Sequence, residues 1–303
     1  MLDSRVKPMD IWVVYFSGSG NTRLVGEALA RAIPVFAHGQ GQDVAVRCNS
    51  VEELYTGALR GADALVAGFP VYAFHAPLTF RKFVERLPHG QGKPVFLYCT
   101  HGGAPFLALR VVARSFACQG YRVVGAKSIP MPDTIAVVMS KKDLGKAQSS
   151  DRRRSLQRQV EGLAALVVER LMDVRGVAAK VRLASPVEEW LTGALNVLGR
   201  GALSLALRRG FWVDSSCDAC GVCVQSCPTG NIALAGGTVK FGSACEVCLR
   251  CVNVCPREAI QIWRFTAGKS RFRELWGADW DGQDSGSVGG NPQRQQADAG
   301  KGA

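Results

Sequence analysis

The chain has 303 residues, room for two domains, and its 47% hydrophobic content is ordinary for a globular protein. The formal charge of +12 is unevenly placed: residues 1–140 carry 14 Lys/Arg against 9 Asp/Glu, residues 141–213 carry 14 against 7, and the rest is neutral. No nucleic-acid motif accompanies that surplus, so nucleic acid is excluded as a partner. An acidic protein partner or an anionic membrane surface would suit it, and a solvated helix face suits it better. Met1–Tyr15 lacks the basic start, apolar stretch and cleavage site of an export signal. Together with cysteines kept as thiolates, this predicts a reducing, cytoplasmic location.

Ile11–Phe16 is a short apolar run that reads as a buried strand, and Thr22–Ile33 follows it with helical spacing. Asp43–Cys48, Ala64–Gly68, Pro94–Thr100 and Tyr121–Ile129 read as four further strands, with helical patterns at Leu78–Leu87 and Pro105–Cys118. This alternation predicts an α/β domain with a doubly wound, five-stranded parallel sheet and helices on both faces. Arg152–Val174 carries Leu156, Val160, Leu163, Val167, Leu171 and Val174 on one stripe and is expected to pack back as the last helix. The first domain is then residues 9–175, and residues 176–211 are a helical connector. In it, Ser185-Pro186-Val187-Glu188 has the form of a capping box with proline at the first helical position. Leu191–Leu207 is too short to span a membrane and has Arg200 in its middle. A helix joining the domains is preferred to one lying on a membrane surface. Residues 281–303 are rich in Gly, Asp, Gln and Ser and almost free of apolar residues, which predicts a disordered tail.

Residues 212–275 contain two near-identical runs. Cys217, Cys220, Cys223 and Cys227 before Pro228, and Cys245, Cys248, Cys251 and Cys255 before Pro256, both read C-x2-C-x2-C-x3-C-P. That is the spacing of bacterial ferredoxins that hold two 4Fe-4S clusters. A cubane offers four iron corners, each taking one thiolate. Three cysteines so spaced can wrap three corners, while the fourth is carried away from the loop to the other cluster. The expected ligand sets are Cys217, Cys220, Cys223 and Cys255 for one cluster, and Cys245, Cys248, Cys251 and Cys227 for the other. Structural zinc does not explain four cysteines per run, and disulfide frameworks suit small secreted chains. Cys48, Cys99 and Cys118 lie outside the runs and read as small buried hydrophobes.

Directly after the first strand comes Ser17-Gly18-Ser19-Gly20-Asn21-Thr22 and then a helix. Hydroxyls and backbone N–H groups converging on a helix N-terminus favour an anion. The loop is neither a Walker A sequence nor a G-x-G-x-x-G fingerprint. It is similar to the phosphate loop of flavodoxins, T-x-T-G-x-T, with serine at positions 17 and 19. The resemblance implies that Ser17, Gly18, Ser19, Gly20, Asn21 and Thr22 cradle the phosphate of FMN. It also implies that the loops after strands three and four hold the isoalloxazine ring. These are Pro70, Val71, Tyr72, Ala73 and Phe74, where Tyr72 or Phe74 would stack, and Thr100, His101, Gly102 and Gly103. In a doubly wound sheet ligands sit outside the carboxyl ends of the strands, where these loops fall.

The whole arrangement resembles the flavodoxin–ferredoxin fusion family over about residues 10–275. Beside the cysteine runs, the Pro70-Val71-Tyr72-Ala73 loop, the Cys99-Thr100-His101-Gly102-Gly103 loop and Met131-Pro132-Asp133 carry the likeness. The resemblance implies a flavodoxin-like domain followed by a small α+β ferredoxin-like domain. It implies a protein that passes low-potential electrons between FMN, two 4Fe-4S clusters and an external redox partner. Two alternatives stand beside it: a flavin-dependent reductase of a quinone, nitro compound or oxygen, and a membrane-peripheral subunit of a larger redox complex.

Overall fold

The computed structural model describes residues 7–139, 149–173, 185, 187, 190, 206–269 and 271, without the side chains of 137–150. Among them, residues 7–133 and 150–173 group into one compact unit, and residues 134–139 with 206–271 into another. The expected connector and tail fall almost wholly outside the described residues.

The first unit is built on strands β1 (Met9–Tyr15), β2 (Val44–Ser50), β3 (Ala64–Pro70), β4 (Pro94–His101) and β5 (Arg122–Pro130). All pair in parallel, in the order β2-β1-β3-β4-β5. That is the flavodoxin-like doubly wound order, with its switch point beside β1. The central strands are covered on both faces, so they read as continuous apolar runs: all seven residues of β3 are buried, as are Val95–Thr100 of β4.

The helices of this unit are α1 (Asn21–Gly39), α2 (Leu78–Glu85), α3 (Ala108–Cys118) and, after the short α4 (Thr134–Met139) that groups with the second unit, α5 (Ser149–Met172). Helix α5 buries Val160, Leu163, Ala164, Val167, Val168 and Leu171 on one stripe. Helix α1 runs two turns past the expected end at Ile33, through Pro34. A proline usually marks a boundary, but Leu29, Ile33 and Ala37 share one buried face, and that burial carries the helix on. Two short elements went unpredicted, α4 and a 3-10 turn at Thr56–Gly61. Each is too short to show a helical period, and the 3-10 turn is held by Lys93, whose Nζ donates to the Leu59 carbonyl at 2.6 Å.

The second unit has two-fold character. Strands β6 (Phe211–Val213) and β9 (Ile260–Ile262) pair antiparallel, as do β7 (Ile232–Ala235) and β8 (Thr238–Phe241). The β7–β8 turn is Gly236-Gly237, both left-handed, as a two-residue hairpin requires. Each half carries one short helix, α6 (Val222–Ser226) or α7 (Arg250–Val254). Among the described residues no helix is long and apolar enough to cross a membrane.

Candidate cofactor sites

The loop after β1 is built around Gly20, whose φ of 111° suits glycine. Its N–H donates to Ser17 Oγ at 3.2 Å, and its carbonyl accepts from Leu24 N–H at 2.9 Å, starting α1. No side chain caps that helix, and its first turn holds no acid. Its first N–H groups and the positive end of its dipole are therefore available to an anion. Ser17, Ser19, Asn21 and Thr22 are all buried around it.

Two contacts lock the loop. Thr22 Oγ1 lies 2.8 Å from Thr100 Oγ1 on β4, so one hydroxyl donates to the other and the second hydrogen of the pair is left for another acceptor. Asn21 Nδ2 donates to the Pro132 carbonyl at 3.0 Å, while Asn21 Oδ1 is buried with no hydrogen-bond partner. Such an amide oxygen calls for a donor such as a ligand hydroxyl. The buried Tyr98 supports the floor: its hydroxyl donates to the Thr22 carbonyl at 3.3 Å and lies against Gly26, and its ring lies over Gly68.

The loops after β3 and β4 lie at the same sheet edge. Val71 N–H donates to the Thr100 carbonyl at 2.8 Å, beyond the last strand pair at Pro70. Tyr72 and His75 then exchange backbone hydrogen bonds around Ala73 and Phe74, which are both left-handed (φ 43° and 73°). Phe106 is left-handed too, at φ 45°. Such conformations cost roughly 1–2 kcal/mol each for residues with a Cβ. What they achieve is to bring two exposed rings together, Phe74 and Phe106, edge to face at 4.4 Å. Tyr72 is half-buried. Phe106 was missed from sequence, although a large apolar residue in a Gly-Gly-Ala-Pro loop after the fourth strand was a usable signal. His101 Nδ1 is bonded to the Gly103 carbonyl at 2.8 Å, and Gly102 sits against Asp133, where a Cβ would lie 2.5 Å from Asp133 Cβ. This buttress fixes the loop to Met131–Asp133.

The eight cysteines of the runs line two cavities. Cys217, Cys220, Cys223 and Cys255 share one. Cys245, Cys248, Cys251 and Cys227 share another. Both loops turn the same way, left-handed at Ala219 and Gly221 in the first and at Val247 and Leu249 in the second. Each run thus wraps three thiols round one cavity and sends its fourth to the other. Among the described residues no group of three His, Cys, Asp or Glu side chains is set to hold a single metal ion. A cluster, by contrast, takes one thiolate on each of four irons and needs thiols spread round a volume. Sulfur atoms accept from backbone N–H groups: Asn231 to Cys227 at 3.2 Å, Val247 to Cys245 at 3.3 Å and Ala259 to Cys255 at 3.3 Å. Burial pushes the Cys223 thiol up to about 11 and the Cys248 thiol up to about 12. Loading with iron must then release protons.

Of the other cysteines, Cys99 is fully buried and its thiol is pushed up to about 12 by burial. The expectation of three buried cysteines therefore holds in full for Cys99 alone: Cys48 is half-buried on the edge strand β2, and Cys118, the last residue of α3, is exposed.

A polar network braces the first cysteine loop. Asp214 accepts from Gln261 Nε2 at 2.9 Å and from Ser216 N–H at 3.0 Å. Gln261 Oε1 accepts from Thr266 Oγ1 at 2.8 Å, and the buried Arg271 donates to the Glu258 carbonyl at 2.9 Å. Burial works against the Asp214 charge, yet hydrogen bonds from Ser216 and Gln261 and the nearby Arg271 hold its carboxyl below the usual range. Its contribution to stability is complete above the unfolded aspartate value of about 3.9 and is lost as pH falls through the depressed folded value. Asp214→Asn is expected to weaken the second unit near neutrality and to leave it no less stable than the parent in strong acid. Unfolding midpoints against pH check this.

Residues 211–233 match the family model described as a 4Fe-4S binding domain. A search of curated proteins returns no match. Among solved structures the first unit is similar to a flavodoxin from the domain Archaea, with 19% identity over 54% of this chain and 99% of that one, at a TM-score of 0.40. A two-electron reduced flavodoxin from Megasphaera elsdenii has 19% identity over 51% and 98%, at 0.37. Oxidised flavodoxin 2 from Bacillus cereus has 16% over 53% and 98%, at 0.37. The flavodoxin-like fold rests on the strand order itself, and the chain joins that fold to a 4Fe-4S binding domain.

Proposed function

We propose that the chain is an electron-transfer protein carrying FMN at the carboxyl edge of its sheet and two 4Fe-4S clusters in its two four-thiol cavities. It would serve an external redox protein. The observation that carries this reading is the partition of eight cysteines into two cavities, joined to a doubly wound sheet whose β1 loop offers uncapped helix N–H groups beside buried hydroxyls. Bound FMN exchanges one or two electrons and each cluster one, so a chain holding both can convert between single-electron and paired-electron traffic.

The residues divide the work. The N–H groups of Ser19, Asn21 and Thr22 with the Ser17, Ser19 and Thr22 hydroxyls bind the phosphate, while the Gly20 N–H stays on Ser17 Oγ, and Asn21 Oδ1 accepts from a ligand hydroxyl. Phe74 and Phe106 exclude water and part to take the ring. Backbone groups of Val71–Phe74 and Thr100–Gly103 meet its polar edge. Cys217, Cys220, Cys223 and Cys255 hold one cluster, and Cys245, Cys248, Cys251 and Cys227 the other.

Anaerobic purification followed by iron, sulfide and flavin analysis tests this. About eight iron, eight sulfide and one FMN per chain are expected. Full iron with no flavin, even after added FMN, would leave a ferredoxin joined to an empty flavodoxin-like fold.

A further inference from the structure

We propose that the cysteine unit exchanges electrons with its redox partner through the first cysteine loop, and that Leu249 closes the second loop against it. This rests on the reading that each four-thiol cavity holds a cluster. The two loops are equivalent position by position, with the same two left-handed residues flanking the middle cysteine. Their exposure is not equivalent. In the first loop Asp218 and Cys220 are exposed. In the second their counterparts differ, Glu246 being buried and Cys248 half-buried. Past the fourth cysteine of each run, Pro256 and Arg257 beside the first cavity are exposed, while Pro228 and Thr229 beside the second are half-buried.

A further difference falls at the position after the middle cysteine, where a half-buried Gly221 corresponds to a buried Leu249. Gly221 has φ 77°, and a Cβ built there meets nothing within 4 Å, so open space lies over the first loop. Its counterpart Leu249 has φ 61° and is only 3% exposed, with its side chain on the wall of the second cavity. Glycine is the natural residue for this backbone, and a leucine costs roughly 1–2 kcal/mol there. The chain carries that strain where the side chain shields a cavity and avoids it where the cavity is open.

Electron transfer falls steeply with separation, so the side on which a partner can come closest decides the route. There one electron passes between the centre behind Cys220 and the partner protein, the one being oxidised as the other is reduced; no bond or proton moves. Leu249 then prevents a second, competing contact.

The test uses the full-length protein, reduced with dithionite and mixed with excess hexacyanoferrate(III), with the reduced iron–sulfur EPR signal followed by freeze-quench. Gly221→Leu is expected to slow its decay several-fold, and the backbone at Leu249 shows that a leucine is tolerated in this conformation. Leu249→Gly is expected to speed the decay by opening a second route. Unchanged decay in both variants, at parental iron and sulfide content, overturns the proposal. Should Gly221→Leu fail to hold iron, an unchanged rate in Leu249→Gly overturns it alone. A parent with well under about eight irons per chain would instead count against the two-cluster reading.

Discussion

Replacing Cys220 and Cys255 together by alanine is expected to leave about four irons per chain, the same as either single replacement, because one cluster needs both thiols. Replacing Cys220 and Cys227 together is expected to remove nearly all eight. These two pairs separate the crossover from the simpler assignment in which each run holds its own cluster, for that assignment predicts the opposite result. The basis is spatial. Cys255 lies 32 or more positions beyond Cys217–Cys223 in the chain, yet shares a cavity with Cys217, Cys220 and Cys223, while Cys227 lies with Cys245, Cys248 and Cys251. Each fourth cysteine follows a short helix, α6 or α7, that carries it from one cavity to the other. Iron and sulfide analysis after anaerobic reconstitution decides the matter. Cluster binding is also folding free energy in such small units. The single variants should therefore lose thermal stability in the cysteine unit while the flavodoxin-like unit keeps its own transition.

Gly68→Ala is expected to be the most damaging single methyl group in the first unit. A Cβ there would lie 1.9 Å from Tyr98 Cζ and 2.3 Å from its hydroxyl oxygen. Neither side can yield easily: Gly68 is in the fully buried β3, and Tyr98 is fully buried with its ring on Gly68 and its hydroxyl against Gly26 of α1. Overpacking of this kind costs typically about 1–3 kcal/mol, with more expected here because the contact is to a rigid ring. Displacing Tyr98 also breaks its hydrogen bond to the Thr22 carbonyl, worth about 1 kcal/mol. Since that bond anchors the first turn of α1, flavin retention should fall along with stability. Tyr98→Phe alone should cost only the hydrogen bond. Adding Tyr98→Leu to Gly68→Ala should recover part of the loss, because a flexible side chain can move off the new methyl. Urea unfolding and FMN fluorescence titration read the two effects separately.

The sheet was legible because its central strands are apolar on both faces: Ala64–Pro70 and Pro94–His101 show as runs without needing a period. Helix ends were less so, since Pro34 reads locally as a stop and only the burial of Ala37 carries α1 beyond it. The Ser17–Thr22 loop shows its chemistry in its residue types. Its attachment to Thr100 and Pro132 depends on contacts 78 and 111 residues away, which local reading does not reach. The cysteines announce themselves by spacing. The difference between their two loops does not, because Gly221 and Leu249 look unrelated until both are seen at the same left-handed position. Phe106 was passed over for a similar reason: only the backbone turn at φ 45° brings its ring to Phe74.

The central claim is that one chain holds carriers of both one and two electrons, and anaerobic coulometric titration of the purified protein tests it most directly. Full reduction is predicted to take about four electrons per chain, two at FMN and one at each cluster, with the flavin and iron–sulfur spectra bleaching in separable steps. An uptake of about two electrons with no flavin change would contradict the account and leave the clusters as the only carriers.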